Sequence, residues 1–199
     1  PSLTKDARRP IVLFVGRITE AKGVFDLLEA WAHVVARCPI AELWVVGADQ
    51  TNGRIDREVH SSKYGNSIKI IPPLPLANVA ELMRQAQVFC LPSHGEGTPN
   101  SVMEALACGL PVVATTVGGI PDIVESNRTG ILVQQGDIQG LAEALVSLLQ
   151  DSDCRARMGE AAHEFARMHL DARKTVLRLV ELYRELITAS RGNDKLAER

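Results

Sequence analysis

Short apolar runs alternate along this chain with longer stretches in which apolar residues recur every three or four positions. The first run, IVLFV at 11–15, is apolar throughout, as in a strand buried on both faces. The next stretch places Val24, Leu27 and Trp31 on one helical face. The alternation predicts six strands, at 11–15, 41–46, 67–71, 88–91, 111–114 and 130–133. It predicts helices at 21–37, 77–85, 101–108, 138–149, 154–168 and 172–189.

Strands that alternate with helices form a parallel sheet with helices on both faces. We therefore expect an α/β fold, a doubly wound six-stranded parallel sheet that is Rossmann-like and carries extra C-terminal helices. The chain has 199 residues, enough for one such domain. We place this domain at residues 1–190 and expect the polar tail 191–199 to be disordered. Because the chain starts at Pro1 and enters a strand almost at once, we expect it to be a fragment of a longer protein.

The composition argues against nucleic acid as a partner. Lys and Arg total 22 and Asp and Glu total 24, so the excess of positive charge that a nucleic-acid surface needs is missing. Aromatic residues make up 4%, too few for a surface that stacks bases. The four cysteines form no C-x-x-C pair, and we interpret them as reduced thiols of a cytoplasmic protein.

Two candidate ligand-binding segments follow predicted strands, at the edge of the sheet where such folds bind ligands. The first is GRITEAKG at 16–23, between the first strand and the first helix. A helix start attracts anions, Gly16 allows close backbone approach, and Arg17 and Lys22 suit phosphate oxygens. The alternative is an ordinary pair of solvated basic side chains next to Glu20. Taken alone, this segment favours the alternative.

The second segment is HGEGTPNSVMEALACGLPVVAT at 94–115. Glu96 lies in a loop between glycines, where a carboxylate can accept hydrogen bonds from sugar hydroxyls or simply be a solvated acid. Glu104 has a structural interpretation as well, because Ser101 and Glu104 fit the capping box S-x-x-E at a helix start. His94, the first residue of this segment, is the one histidine beside the predicted site. It suits either a contact with the donor sugar or a polar role in the loop.

Taken together with VGGIPDIV at 117–124 and TGILVQQGD at 129–137, these segments resemble the glycosyl transferases group 1 family. These are retaining glycosyltransferases with two Rossmann-like domains, and they include sucrose synthases and bacterial lipopolysaccharide and mannosyl transferases. Four motifs occur in the family's order and spacing, including its hallmark of two glutamates separated by seven residues. The resemblance covers nearly the whole chain, but only the C-terminal half of such an enzyme.

The resemblance implies a domain that binds the nucleoside-diphosphate-sugar donor for hexosyl transfer with retention and with no metal required. Arg17 and Lys22 match the catalytic basic pair on the diphosphate, where fixed cations stabilise the departing charge. Glu96 matches the catalytic glutamate near the donor sugar, and Glu104 matches the glutamate that binds the ribose. The remaining donor-binding positions that match are Gly16, Ile71, Pro72, Gly97, Thr98, Pro99, Asn100 and Ser101.

The resemblance also implies partners outside this chain. An N-terminal acceptor domain is expected to complete the enzyme, and the full-length protein is expected in the cytoplasm, at the inner face of the membrane if it associates with lipid. The last predicted helix has an apolar stripe that we expect to pack on its own domain, and in the family this helix also crosses to the N-terminal domain. A weaker alternative is contact of its basic residues Arg173, Lys174, Arg178 and Arg184 with anionic lipid. The stripe consists of Val176, Leu179, Val180, Tyr183, Leu186 and Ile187.

Two other functions stay open. A sugar-nucleotide epimerase shares the architecture, but the basic pair followed by the spaced glutamates argues against it. A non-catalytic module that binds a nucleotide sugar or another protein is the second alternative.

Pro99 departs from the commoner Gly-Phe-Gly pattern and removes one N–H, so the donor preference is expected to differ. Asp151-Ser152-Asp153 matches a D-x-D metal motif, but between two helices it is better explained as a helix cap.

Overall fold

The computed structural model describes residues 9–197, except for the side chains of 172, 175 and 188–197. Six parallel strands form one sheet in the order β3-β2-β1-β4-β5-β6. The strands are β1 (Ile11–Val15), β2 (Glu42–Val46), β3 (Ile68–Ile71), β4 (Val88–Leu91), β5 (Val112–Thr115) and β6 (Gly130–Val133). The predicted doubly wound α/β fold is confirmed, and strand bounds differ by at most one residue.

Helices cover the sheet between the strands. They are α1 (Val24–Arg37), α2 (Arg54–Ser61), α3 (Leu76–Gln85), α4 (Asn100–Ala107), α5 (Ile120–Ile123), α6 (Ile138–Gln150), α7 (Ser152–His169) and α8 (Ala172–Ala197). Two of them were not predicted. Half of the residues of α2 are charged and it buries only Ile55 and Val59, so its apolar period is too weak to detect. The other, α5, spans four residues, less than two helical turns.

The first helix begins later than predicted. The sequence placed its start at residue 21, but the chain first makes a short 3₁₀ turn at Glu20–Lys22. Gly23 then adopts a left-handed conformation, with φ 69°, and α1 starts at Val24. A side chain at Gly23 would lie 1.8 Å from the carbonyl oxygen of Pro92. The glycine therefore ends the turn and lets the segment before α1 pack directly on the segment after β4.

The buried face of α1 fixes this helix on the sheet. Val24, Leu27, Trp31 and Val34 are fully buried, as the predicted apolar period requires. The indole Nε1 of Trp31 donates to the Ser67 hydroxyl at 2.9 Å, so this large side chain is buried without an unsatisfied polar group.

The strand order places two connections next to each other. From β1 the chain moves outward to β2 and β3, and from β4 it moves the other way to β5 and β6. The loops after β1 and β4 therefore leave the same edge of the sheet as neighbours. In open α/β sheets this switch point is where ligands bind.

The last helix differs from the prediction in two respects. It continues past residue 189 to Ala197, whereas a polar tail was expected from 191, and residues 198 and 199 lie outside the described part. Its apolar stripe does not pack on the domain as we expected, because all six side chains of the stripe are at least 40% exposed. Helical period identifies an apolar face but not the surface that covers it. No helix within residues 9–197 is long and apolar enough to cross a membrane.

Glu42 stabilises the edge of the sheet formed by β2 and β3. We expect the size of this stabilisation to depend on pH. It accepts from Lys69 at 2.7 Å, from Arg9 at 2.8 Å and from the Trp44 indole at 2.9 Å. Lys69 first, then Arg9, lower the pKa of Glu42 to about 2 from its ordinary value of 4.5. Because the folded-state pKa is the lower one, this stabilisation is present above pH 4.5 and is lost as the pH falls through 2.

The substitution Glu42→Gln should lower the free energy of unfolding by about 1–2 kcal/mol at pH 7, because the negative charge that attracts Lys69 and Arg9 is removed. Urea denaturation at pH 7 and at pH 3 measures the difference, which should shrink at the lower pH. Glu160→Gln, at an exposed position of α7, is the control. An equal loss at both pH values would show that the charge of Glu42 is not what stabilises the edge.

Candidate functional site

Close backbone contacts shape the part of the site that follows β1. The N–H of Gly16 donates to the carbonyl of Val46 at 3.0 Å, and the N–H of Gly47 donates to that of Ile71 at 3.0 Å. A side chain at Gly47, where φ is 152°, would lie 1.8 Å from the carbonyl oxygen of Gly16. The structure thus brings the predicted Gly16 and Ile71 to one edge, and Pro72 lies exposed just after β3.

Lys22 and Glu96 meet at the switch point. The Nζ atom of Lys22 lies 2.6 Å and 2.7 Å from the two carboxylate oxygens of Glu96. The hydroxyl of Ser93, which is fully buried, donates to Oε1 of Glu96 at 2.6 Å. The side chain of Glu96 is only 6% exposed and that of Lys22 is 22% exposed. The sequence placed both residues in one site, and the structure joins them as a partly buried ion pair.

Two glycines after β5 hold the loop that carries Glu96. The N–H of Gly119 donates to the carbonyl of Gly97 at 2.7 Å. Gly118 has φ 53°, and a side chain there would lie 1.7 Å from the carbonyl oxygen of Glu96. The hydroxyl of Thr115 adds a hydrogen bond to the carbonyl of Ser93 at 2.5 Å. This end of the site is therefore built from backbone that tolerates no side chain at these glycines.

Glu104 occupies a different environment from the one predicted for a capping residue. Pro99 is the N-cap of α4 and no side chain caps this helix, so Ser101 and Glu104 form no capping box. Ser101 lies two residues beyond the N-cap position and so cannot make the capping bond. Burial raises the pKa of the Glu104 carboxyl. Among the described side chains, none makes a hydrogen bond or ion pair to this carboxyl that would offset the burial.

Other predicted residues lie around these groups without direct links to them. Arg17 is exposed directly after Gly16, and within the described part its guanidinium makes no hydrogen bond or ion pair. Thr98 and Asn100 are exposed, and Pro99 is buried. Since no side chain caps α4, the N–H groups at its start have no side-chain partner, as at a helix start that binds an anion.

The sequence did not identify the contacts of His94. Its Nε2 lies 2.8 Å from Oδ2 of Asp26, in the first turn of α1, and its backbone N–H donates to the carbonyl of Ala21 at 2.9 Å. Asp26 gives no signal of its own, because an acidic residue in the first turn of a helix is common. The sequence does not single out Ser93 either, since its role depends on contacts formed only in the folded chain, with Glu96 and with Thr115.

The D-x-D segment behaves as predicted. Asp151 is the N-cap of α7, and its carboxylate accepts from the N–H of Cys154 at 2.8 Å. Across residues 9–197, no three His, Cys, Asp or Glu side chains are grouped in a way that could hold a metal ion.

These features define the class of protein: a Rossmann-like domain with a polar site at the switch point of a parallel sheet. Residues 1–165 match the family model "Glycosyl transferases group 1". The chain therefore belongs to the glycosyl transferases group 1 family, as the motifs predicted. The match favours the glycosyltransferase interpretation over the epimerase alternative.

The proteins similar to this chain include D-inositol 3-phosphate glycosyltransferases. The chain is 35% identical over 183 residues to D-inositol 3-phosphate glycosyltransferase from Corynebacterium glutamicum (strain R), covering 89% of this chain and 44% of that protein. It is 29% identical over 177 residues to N-acetyl-alpha-D-glucosaminyl L-malate synthase from Bacillus anthracis, covering 89% and 46%. The chain thus spans about half the length of the curated relatives it matches.

Solved structures agree on the fold. Sucrose-phosphate synthase from Thermosynechococcus elongatus has a TM-score of 0.81 and 30% identity, over 90% of this chain and 46% of that one. Anabaena HepE in complex with UDP and glucose has a TM-score of 0.82 and 22% identity, over 90% of this chain and 49% of that one. At this identity the second comparison supports the fold alone.

The substitution Gly118→Ala tests the close packing under Glu96. It should lower the free energy of unfolding by about 3 kcal/mol or more, because left-handed strain and overpacking add. Gly136→Ala is the matched control, since Gly136 has φ 74° with nothing within 4 Å of a new side chain. It should show the strain alone, about 1–2 kcal/mol. Urea denaturation measures both, and equal losses would contradict the packing argument.

Proposed function

We propose that this chain binds a nucleoside-diphosphate sugar and forms the donor side of a retaining hexosyltransferase. The observation that carries the proposal is the ion pair between Lys22 and Glu96 at the switch point. It places a cation and a carboxylate together at the edge where α/β sheets bind ligands. The ammonium of Lys22 can bind a diphosphate, and the carboxylate of Glu96 can accept hydrogen bonds from sugar hydroxyls.

The basic groups fit the charge that this reaction develops. When the sugar leaves, negative charge appears on the departing diphosphate, and fixed cations and helix N–H groups stabilise it. Arg17 is exposed and free to turn towards the ligand, Lys22 lies on the short turn before α1, and α4 offers an uncapped start. With these groups present, we propose that transfer requires no metal ion.

Glu104 fits the ribose of the donor. Its half-buried carboxyl has no hydrogen-bond donor within residues 9–197, and burial raises its pKa. Two hydroxyl groups of a ribose would supply donors to the ionised form. A carboxylate that gains such donors becomes easier to ionise, so ligand binding and the charge of Glu104 favour each other.

The acceptor belongs to another part of the protein under this proposal. The curated relatives are about twice as long as the region they share with this chain. We propose that the additional half supplies the acceptor site and closes over the donor. The structure of Anabaena HepE was solved with UDP, so UDP is the first nucleotide to test here.

The first prediction of the proposal concerns nucleotide affinity. Calorimetric titration of the chain with UDP, GDP and ADP should show selective binding of one of them. Arg17→Ala and Glu104→Ala should each weaken that binding about tenfold or more, because a charge-assisted contact is lost. Arg157→Ala and Glu160→Ala are matched controls on the exposed surface of α7. A folded chain that binds none of the three would favour the non-catalytic alternative.

The second prediction separates the roles of the ion pair. To grip a diphosphate, Lys22 must leave the carboxylate of Glu96, which also repels the ligand. Glu96→Gln should therefore tighten the binding of UDP by about three- to tenfold, since a like charge is removed and the lysine is released. Lys22→Ala should weaken it. Titration of both variants with UDP checks this, and weaker binding by Glu96→Gln would show that the carboxylate holds Lys22 in place for the ligand.

A further inference from the structure

His94 links the two segments that carry the proposed catalytic groups. Its backbone N–H donates to the carbonyl of Ala21 at 2.9 Å, and its ring Nε2 lies 2.8 Å from Oδ2 of Asp26. One bond reaches the short turn before α1 and the other reaches the first turn of α1 itself. A single residue of the loop after β4 is thus bonded twice to the region after β1.

Both bonds lie immediately beside the ion pair. Ala21 precedes Lys22 in the chain, and His94 lies two residues before Glu96. The spacing between the lysine and the glutamate is therefore set by contacts that involve neither side chain. When a ligand draws Lys22 away from Glu96, these contacts can stay in place.

The loop has few other means of holding its position on this side. Gly95 and Gly97 flank Glu96, and a side chain built at either would meet nothing within 4 Å. On the side of α1, the approach of Gly23 to the carbonyl of Pro92 supplies backbone packing just before His94.

The side chains of His94 and Asp26 are 34% and 22% exposed, so their contact is partly protected from water. The carboxylate of Asp26 only accepts, so Nε2 of His94 must carry a proton in this contact.

We propose that His94 and Asp26 form a positioning pair that holds the loop of Glu96 against the turn of Lys22. The consequence for the donor rests on the proposed function, whereas the effect on the loop does not. His94 acts through Asp26 and through the backbone of Ala21, and it does not contact the ligand. The pair therefore fixes the geometry in which the two charged groups face a diphosphate sugar.

The test compares three single variants, and the double variant His94→Ala/Asp26→Ala, with one control. His94→Ala and Asp26→Ala remove the contact. His94→Gln keeps an N–H donor that can reach Asp26. His60→Ala is the control, because His60 is an exposed histidine of α2 whose ring bonds only to a backbone carbonyl of its own helix. Hydrogen exchange of residues 94–100, measured without any nucleotide, reports the loop, and titration with UDP reports the site.

In the alanine variants we expect loop exchange to accelerate about tenfold and UDP affinity to fall about tenfold, because a hydrogen bond to a charged group is lost. The double variant should be no worse than either single one, since both remove the same contact. His94→Gln and the control should behave like the original chain. The rescue by glutamine distinguishes the contact with Asp26 from a general need for an imidazole.

Unchanged loop exchange in both alanine variants would overturn the proposal. So would a glutamine variant as weak towards UDP as His94→Ala with normal loop exchange, because His94 would then contact the ligand directly. If loop exchange accelerates as expected but the original chain binds no UDP, GDP or ADP, the positioning pair stands and the proposed function fails.

Discussion

The site depends on two neighbouring parallel strands, β1 and β4, whose connections run to opposite halves of the sheet. Val12 and Leu13 lie in register with Val88 and Phe89, so both strands end at the same edge. Lys22 and Glu96, which are 74 residues apart in the chain, consequently meet at 2.6 Å. The strand order brings Lys22 and Glu96 to the same place, and the attraction of their charges then joins them.

Glycine makes the approach close enough for these contacts. Gly23 packs on the carbonyl of Pro92, Gly47 on that of Gly16 and Gly118 on that of Glu96, in each case within 2 Å of where a side chain would begin. All three have positive φ, which other residues rarely adopt. The rim of the site is thus backbone packed on backbone, and the charged side chains extend from this closely packed frame.

The sequence predicted the sheet well because buried strands are local features. β1, β4 and β6 were placed without error, since each is a short apolar run with clear ends. It failed where a tertiary contact decides the outcome. Gly23 delays α1 because the chain must pack on Pro92, and α2 carries too few apolar residues to show a period. Motifs located Lys22 and Glu96, but the contact of His94 with Asp26 joins residues that no local pattern connects.

The two glutamates of the motif have opposite hydrogen-bonding environments. Glu96 lies in the loop, where Lys22 and Ser93 bond to its carboxylate, so this side chain has polar partners although it is only 6% exposed. Glu104 lies in the second turn of α4, where burial raises its pKa and no described side chain compensates. A ligand must therefore displace a partner at Glu96 but can only add partners at Glu104. Under the proposed function, the ribose would add hydrogen bonds to Glu104 and so stabilise binding. The sugar and diphosphate would only replace the contact between Lys22 and Glu96 with contacts to the ligand. The nucleotide is therefore the part of the donor that gives affinity.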